Sequence, residues 1–269
     1  MTRKEQRRKR KEGKSTGGRG IVSTIILIIA IIVFCFAGYK LYGIITGYLE
    51  GRSEYKELQD LAITNDGEDD EQFRVDFDAL MELNPDTIGW IRFYPEPSSI
   101  NYPIVQTDNN STYLSKTFSS NDNSVGAIFL NTYNDANFGD RNSIIYGHYM
   151  NDGTMFHKLW DYQDESFYKD NPYFYIYTPD NRELTYHIFS VARLQEDDEA
   201  YSTDFPDDAA FQSFIDRNIA LSDYNTGVVP TIDDKIVSLS TCTSLNTSSD
   251  RWKVTGVLIE TKDLSTESE

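Results

Sequence analysis

Nineteen consecutive residues without a charge, Ile21 to Tyr39 (IVSTIILIIAIIVFCFAGY), divide this chain of 269 residues into two unequal parts. As a helix rising about 1.5 Å per residue they would span roughly 28 Å, close to the hydrocarbon thickness of a bilayer, and they lack the polar face that a helix on a soluble domain presents. The prediction is one membrane-spanning helix. Its flanks differ sharply in charge. Met1–Arg19 carries nine basic and two acidic residues, +7, whereas the residues from Gly20 onward carry 16 basic and 41 acidic ones, −25. Basic flanks stay in the cytoplasm, so everything after Lys40 is expected outside the cell. A cleaved signal peptide is the rival reading; Phe36-Ala37-Gly38 is a poor cleavage site and the apolar run is long for such a peptide. Cys35, preceded by the bulky Phe34, reads as an ordinary apolar residue of the span rather than a lipid-modified cysteine.

An ectodomain this acidic has no basic surface for nucleic acid. No group of histidines and cysteines stands at metal-ligand spacing, and no cofactor is expected. The acidic runs Asp66–Glu71 and Glu196–Glu199 lack the sixth-position glycine and distal glutamate of a calcium-binding loop and read as solvated turns. With Cys35 in the span, Cys242 is the one cysteine outside. It has no intramolecular disulfide partner, and a free thiol in an oxidising compartment is a liability unless it is used or deeply buried.

Two amphipathic stretches follow the span. Ser53–Ala62 places Tyr55, Leu58, Leu61 and Ala62 on one helical face with Ser53 as N-cap, and Phe73–Leu83 repeats the pattern until Asn84-Pro85-Asp86 stops it. From Ile88 the period changes to that of strands: Gly89–Tyr94, Asn101–Thr107, Ala127–Tyr133, Asn142–Gly147, Tyr173–Thr178, Glu183–Leu194, Lys235–Thr241 and Arg251–Glu260. Helical insertions are expected at Thr154–Tyr168 and Asp208–Ser222. Eight short strands with few helices suggest a closed or nearly closed barrel, which removes exposed edges. The expected organisation is a basic cytoplasmic tail (1–20), the span (21–39), a juxtamembrane linker with two helices (40–87), the barrel (88–262) and a polar tail (263–269).

The stretch Ile236–Arg251, IVSLSTCTSLNTSSDR, carries the chemistry. Cys242 falls where a strand meets a polar loop, and Arg251 opens the next strand, so a hairpin would bring the guanidinium near the sulfur, where it can hold an oxyanion or steady a thiolate. A buried structural cysteine and an unrelated surface arginine satisfy the same pattern, and residue type alone leaves both open. A thiol nucleophile needs a base to share its proton. Of the three histidines, His148 follows Ile144-Ile145-Tyr146-Gly147 and sits, like Cys242, at a strand end. His157 in MFHKLW is expected to point to water, and His187 is mid-strand.

The segments IYGHYMNDGTMFHKLWDY around His148, LSTCT at Cys242 and Arg251 nine residues on, with ELNPDTIGWI and INYPIVQTDNNSTYL, resemble a class B sortase over roughly Ser53 to Glu260. The resemblance implies a mainly β fold, an eight-stranded sortase-like barrel with two N-terminal helices and helical insertions. It also implies a cysteine transpeptidase on the outer membrane face of a Gram-positive bacterium. Such an enzyme cuts a C-terminal sorting signal of secreted proteins after threonine and passes the acyl group to an amine of the lipid-linked peptidoglycan precursor. Carried over, Cys242 is the nucleophile, His148 the general acid and then base, and Arg251 the binder of the carbonyl and oxyanion; Ser240 and Thr241 contact the peptide. A pilus-polymerising sortase, a mainly hydrolytic enzyme and a non-catalytic peptide- or glycan-binding barrel are the competing readings. The last has no need of His148, Cys242 and Arg251 together at strand ends.

Overall fold

The computed structural model describes residues 17–65, 73–242 and 249–266. The acidic run Asp66–Glu71 and the loop 243–248 after Cys242 lie outside the described residues. The chain divides into two units, residues 1–49 and 50–269.

The first unit is the helical run through the predicted span, whose side chains from Ile21 to Ile44 are exposed. A single helix, Gly17–Ala62, continues past the span without a break, which corrects the expected separate helix at Ser53. No proline interrupts the sequence, and Ser53 bonds forward to the Glu57 carboxylate at 3.0 Å instead of capping a new helix. Within the second unit the last turns of this helix bury Tyr55, Leu58 and Ala62. Leu61, expected on the same face, is 48% exposed. Tyr55 donates to the Gly126 carbonyl at 2.6 Å and meets Tyr102 edge-on.

Two short strands, β1 (Ile63–Asn65) and β2 (Arg74–Val75), pair antiparallel and were not foreseen. The helix Phe77–Leu83 follows, its first turn closed by Asp76 accepting from the Ala79 amide. Eight strands then form a closed barrel: β3 (Thr87–Arg92), β4 (Asn101–Val105), β5 (Ile128–Leu130), β6 (Asn142–Tyr146), β7 (Tyr173–Thr178), β8 (Arg182–Gln195), β9 (Ile236–Cys242) and β10 (Asp250–Asp263). Their order round the barrel is β10-β8-β7-β3-β4-β5-β6-β9, closing on itself. All eight predicted strands are present, most with ends shifted by one to three residues. The pairs β4–β5 and β6–β9 are parallel and the rest antiparallel.

The insertion predicted at Thr154–Tyr168 is a 3-10 helix, Phe156–Gln163, followed by a short α-helix, Glu165–Asp170. The second insertion is the helix Asp208–Leu221, started by Asp207 accepting from the Ala210 amide, a cap worth about 1 kcal/mol. Its residues Phe211, Phe214 and Ile215 share one face and pack with Phe189, Ile236 and Val257 of the barrel.

Candidate active site

Strand register assembles the site. Parallel β6 and β9 pair Tyr146 with Ser240, and the Gly147 amide donates to the Ser240 carbonyl at 3.1 Å. His148 follows Gly147 just past the end of β6, and Cys242 ends β9 two residues after Ser240. On the other side of β9, antiparallel β10 pairs Cys242 with Arg251 directly. Because side chains alternate along a strand, Tyr146, Ser240 and Arg251 share one face of the sheet. A cavity of about 320 Å³ opens there. Its walls come from Tyr146, Gly147 and His148 after β6, Ser240 and Thr241 on β9 and Arg251 on β10. Glu196 and Tyr201 after β8, Phe129 on β5, and Asn110 and Leu114 in the loop after β4 complete it.

His148 is half-buried, and its Nε2 lies 2.7 Å from the Leu114 carbonyl oxygen. A carbonyl only accepts, so Nε2 carries a proton and, in the neutral ring, Nδ1 holds the lone pair. Two glycines near His148 have no room for a side chain. Gly126, at φ +65°, would put a Cβ 2.6 Å from the Tyr113 carbonyl and 2.8 Å from His148 Cδ2. Gly147 would put one 2.5 Å from Ile128 and 2.7 Å from the Phe156 ring. The space beside Gly147 is therefore filled by the core.

Arg251 forms an ion pair with the Glu196 carboxylate, and its other terminal nitrogen donates to the Asp250 carbonyl at 3.3 Å. Glu196 was expected to be a solvated turn residue. It is an exposed residue of the turn that follows β8, as expected, and from there its carboxylate reaches Arg251. Asp250 opens β10 opposite Gln195, and its carboxylate accepts from Arg193 and Gln195.

The Tyr201 hydroxyl meets Ser240 Oγ at 3.1 Å. Burial raises the Tyr146 and Tyr201 phenols above their ordinary range, with hydrogen bonds from Asn131 and Ser240 respectively, and the nearby Arg251 charge, opposing the shift. The Thr241 hydroxyl is buried and, among the described residues, lacks a partner. The other two histidines do not line this cavity. His157 stacks on Tyr149 at 4.2 Å with Nδ1 buried, so it does not simply point to water. His187 packs on Tyr173, and burial lowers its basicity. Among the described residues no His, Cys, Asp and Glu group is arranged to hold a metal ion.

The closed eight-stranded barrel, with His148, Cys242 and Arg251 at strand ends, has the architecture that the sequence resemblance implies. Residues 96–259 match the family model described as the sortase domain. Sortase B of Staphylococcus aureus is 33% identical over 224 residues, 81% of this chain and 88% of that protein. Sortase B of Listeria monocytogenes is 34% identical over 185 residues, 68% of this chain and 72% of that one. In three dimensions the crystal structure of sortase B from Bacillus anthracis gives a TM-score of 0.70 at 32% identity, covering 81% of this chain and 100% of that one. A Staphylococcus aureus sortase B–substrate complex gives 0.69 at 27% identity, covering 80% and 99%. The chain belongs to the sortase family, in its class B, and is a sortase-type transpeptidase.

Proposed function

We propose that this transpeptidase anchors secreted proteins to the cell wall, working through a thioester on Cys242. The Cys242 thiolate attacks the carbonyl carbon of the threonine in a C-terminal sorting signal. The C–N bond breaks as His148 gives a proton to the departing amine. An amine of the lipid-linked peptidoglycan precursor then attacks the thioester, losing a proton to His148, and the C–S bond breaks to restore the thiolate. Arg251 stabilises the negative charge that develops on the carbonyl oxygen in both steps, and Glu196 holds its planar fork in place. With Nε2 engaged by the Leu114 carbonyl, Nδ1 is the ring nitrogen that exchanges the proton. Ser240 contacts the peptide through its side chain beside Tyr201, whereas Thr241, its hydroxyl buried, offers its backbone.

The observations that support this reading are that Cys242 pairs with Arg251 across β9 and β10, and that Arg251 and His148 line one cavity. The apolar run within Gly17–Ala62 supports a single-pass anchor with its basic tail in the cytoplasm. Tethering raises the effective concentration of a membrane-held substrate and a lipid-linked acceptor. The test incubates the detergent-solubilised full chain with a library of fluorogenic sorting-signal peptides, with and without triglycine. Cleavage giving an amine-linked product in wild type and none in Cys242→Ala is expected; cleavage that persists in Cys242→Ala would reject the assignment.

A further inference from the structure

Two residues after Arg251 on β10 lies a lysine that the proposed chemistry does not use. Lys253 is 1% exposed and pairs across the sheet with Ser240. Among the described residues its direct partners are not carboxylates. Nζ donates to the Ala200 carbonyl and, at 2.7 Å, to Asn218 Oδ1. It stands 5.3 Å from the centre of the Tyr201 ring and 5.2 Å from that of Phe214, within cation–π range of both. Asp198, the nearby carboxylate, is taken by Arg217 through two bonds of 2.8 and 2.7 Å.

Lysine is almost never fully buried without a reason. Here the two acceptors belong to different elements: Ala200 to the 3-10 turn Glu199–Tyr201, and Asn218 to the helix Asp208–Leu221. One side chain from β10 thus ties both to the barrel wall. The turn carries Tyr201 to the cavity, where its hydroxyl meets Ser240, the residue opposite Lys253. An apolar residue of similar length would fill the space but leave the Ala200 carbonyl and the Asn218 amide oxygen without this donor.

We propose that Lys253 is a positioning residue for the transfer reaction, clamping the turn Glu199–Tyr201 so that Tyr201 forms a fixed wall of the cavity against which the peptide binds. The inference rests on the reading of that cavity as the peptide site. Burial pushes the Lys253 ammonium down to about 7, with Asp198 opposing, so the clamp is held at a cost in solvation. The turn has independent supports, the Asp198 cap on the Ala200 amide and the packing of Ala200 with Ala192 and Leu194. Loss of the clamp should therefore loosen the turn and leave the barrel folded.

The experiment compares the full chain in detergent with Lys253→Met, using a peptide that the wild type turns over and hydrogen exchange across residues 196–204. A KM raised about tenfold with kcat within about twofold is expected, because ground-state binding is lost while the reacting groups stay in place. The amides of 199–202 should exchange about tenfold faster while the barrel strands keep their protection. Adding Tyr201→Phe to Lys253→Met should cost less than it does in wild type, since the two act through one wall. Asn218→Ala, which removes one acceptor, should move KM and exchange the same way by less, and it serves if Lys253→Met does not fold. Unchanged KM and unchanged exchange at 199–202 in folded Lys253→Met would overturn the proposal, as would a loss of protection spread evenly over the chain. Should the wild type turn over no peptide, the reading of the site fails, and exchange at 199–202 still decides whether the clamp exists.

Discussion

Arg251 reaches two partners with one planar group, the Glu196 carboxylate and the Asp250 carbonyl. A lysine there keeps the charge and loses the fork, so Arg251→Lys should lower kcat/KM by about 100-fold or more, the scale of losing an oxyanion donor. Near-normal steady-state kinetics would remove Arg251 from that role. Glu196→Gln keeps the volume and removes the ion pair; with the Glu196 side chain 55% exposed, a fall in kcat/KM of only about three- to tenfold is expected. His157→Ala should leave turnover within about twofold while lowering thermal stability through the lost Tyr149 stack, and a large loss of turnover would reopen the choice of His148. At this scale His148, Cys242 and Arg251 were legible because each stands where an apolar run meets a loop, a pattern local in sequence. Glu196 and Tyr201 were not. Their place at the cavity depends on how β8 aligns with β10, and local composition makes Glu196 one more residue of an acidic turn.

Elements position these side chains through close backbone approaches. A methyl group at residue 126 would press on the His148 ring and is strained at φ +65°. Gly126→Ala should therefore reduce kcat/KM well beyond what its effect on the melting temperature explains; parallel loss of folded protein and activity would make the glycine purely structural. The strands themselves could be read from β-branched and aromatic runs bounded by Pro, Gly, Asn and Asp, and all eight are in the barrel. Their order could not, because the pairings β3–β7 and β6–β9 join segments far apart in sequence. The helix Gly17–Ala62 was divided in the reading because Ser53 resembles a cap. A cap signal has meaning only where the preceding residues leave the helix, and here they do not.

For the molecule as a whole, the burial of Lys253 has a consequence for stability against pH. Its ammonium is held at about 7 in the folded protein against an ordinary 10.5, so between those values the unfolded chain binds the extra proton. Unfolding is then favoured as pH falls, stability rises with pH across that window, and the full cost is present below about 7. Of the ionisable groups around Nζ, Asp198 opposes the shift and Arg217 neutralises Asp198, while Tyr201 stays un-ionised there because burial raises its phenol. Denaturant midpoints measured between pH 7 and 9.5 should climb more steeply in wild type than in Lys253→Met; equal slopes would mean that Lys253 keeps its ordinary proton affinity. The central claim concerns a single bond, and intact-mass spectrometry of acid-quenched full chain tests it most directly. After brief mixing with a cleavable sorting-signal peptide, the account predicts an adduct of the acyl half, ending in threonine, on Cys242, discharged by triglycine and absent from Cys242→Ala. Turnover without such an adduct, or an adduct that survives in Cys242→Ala, would contradict it.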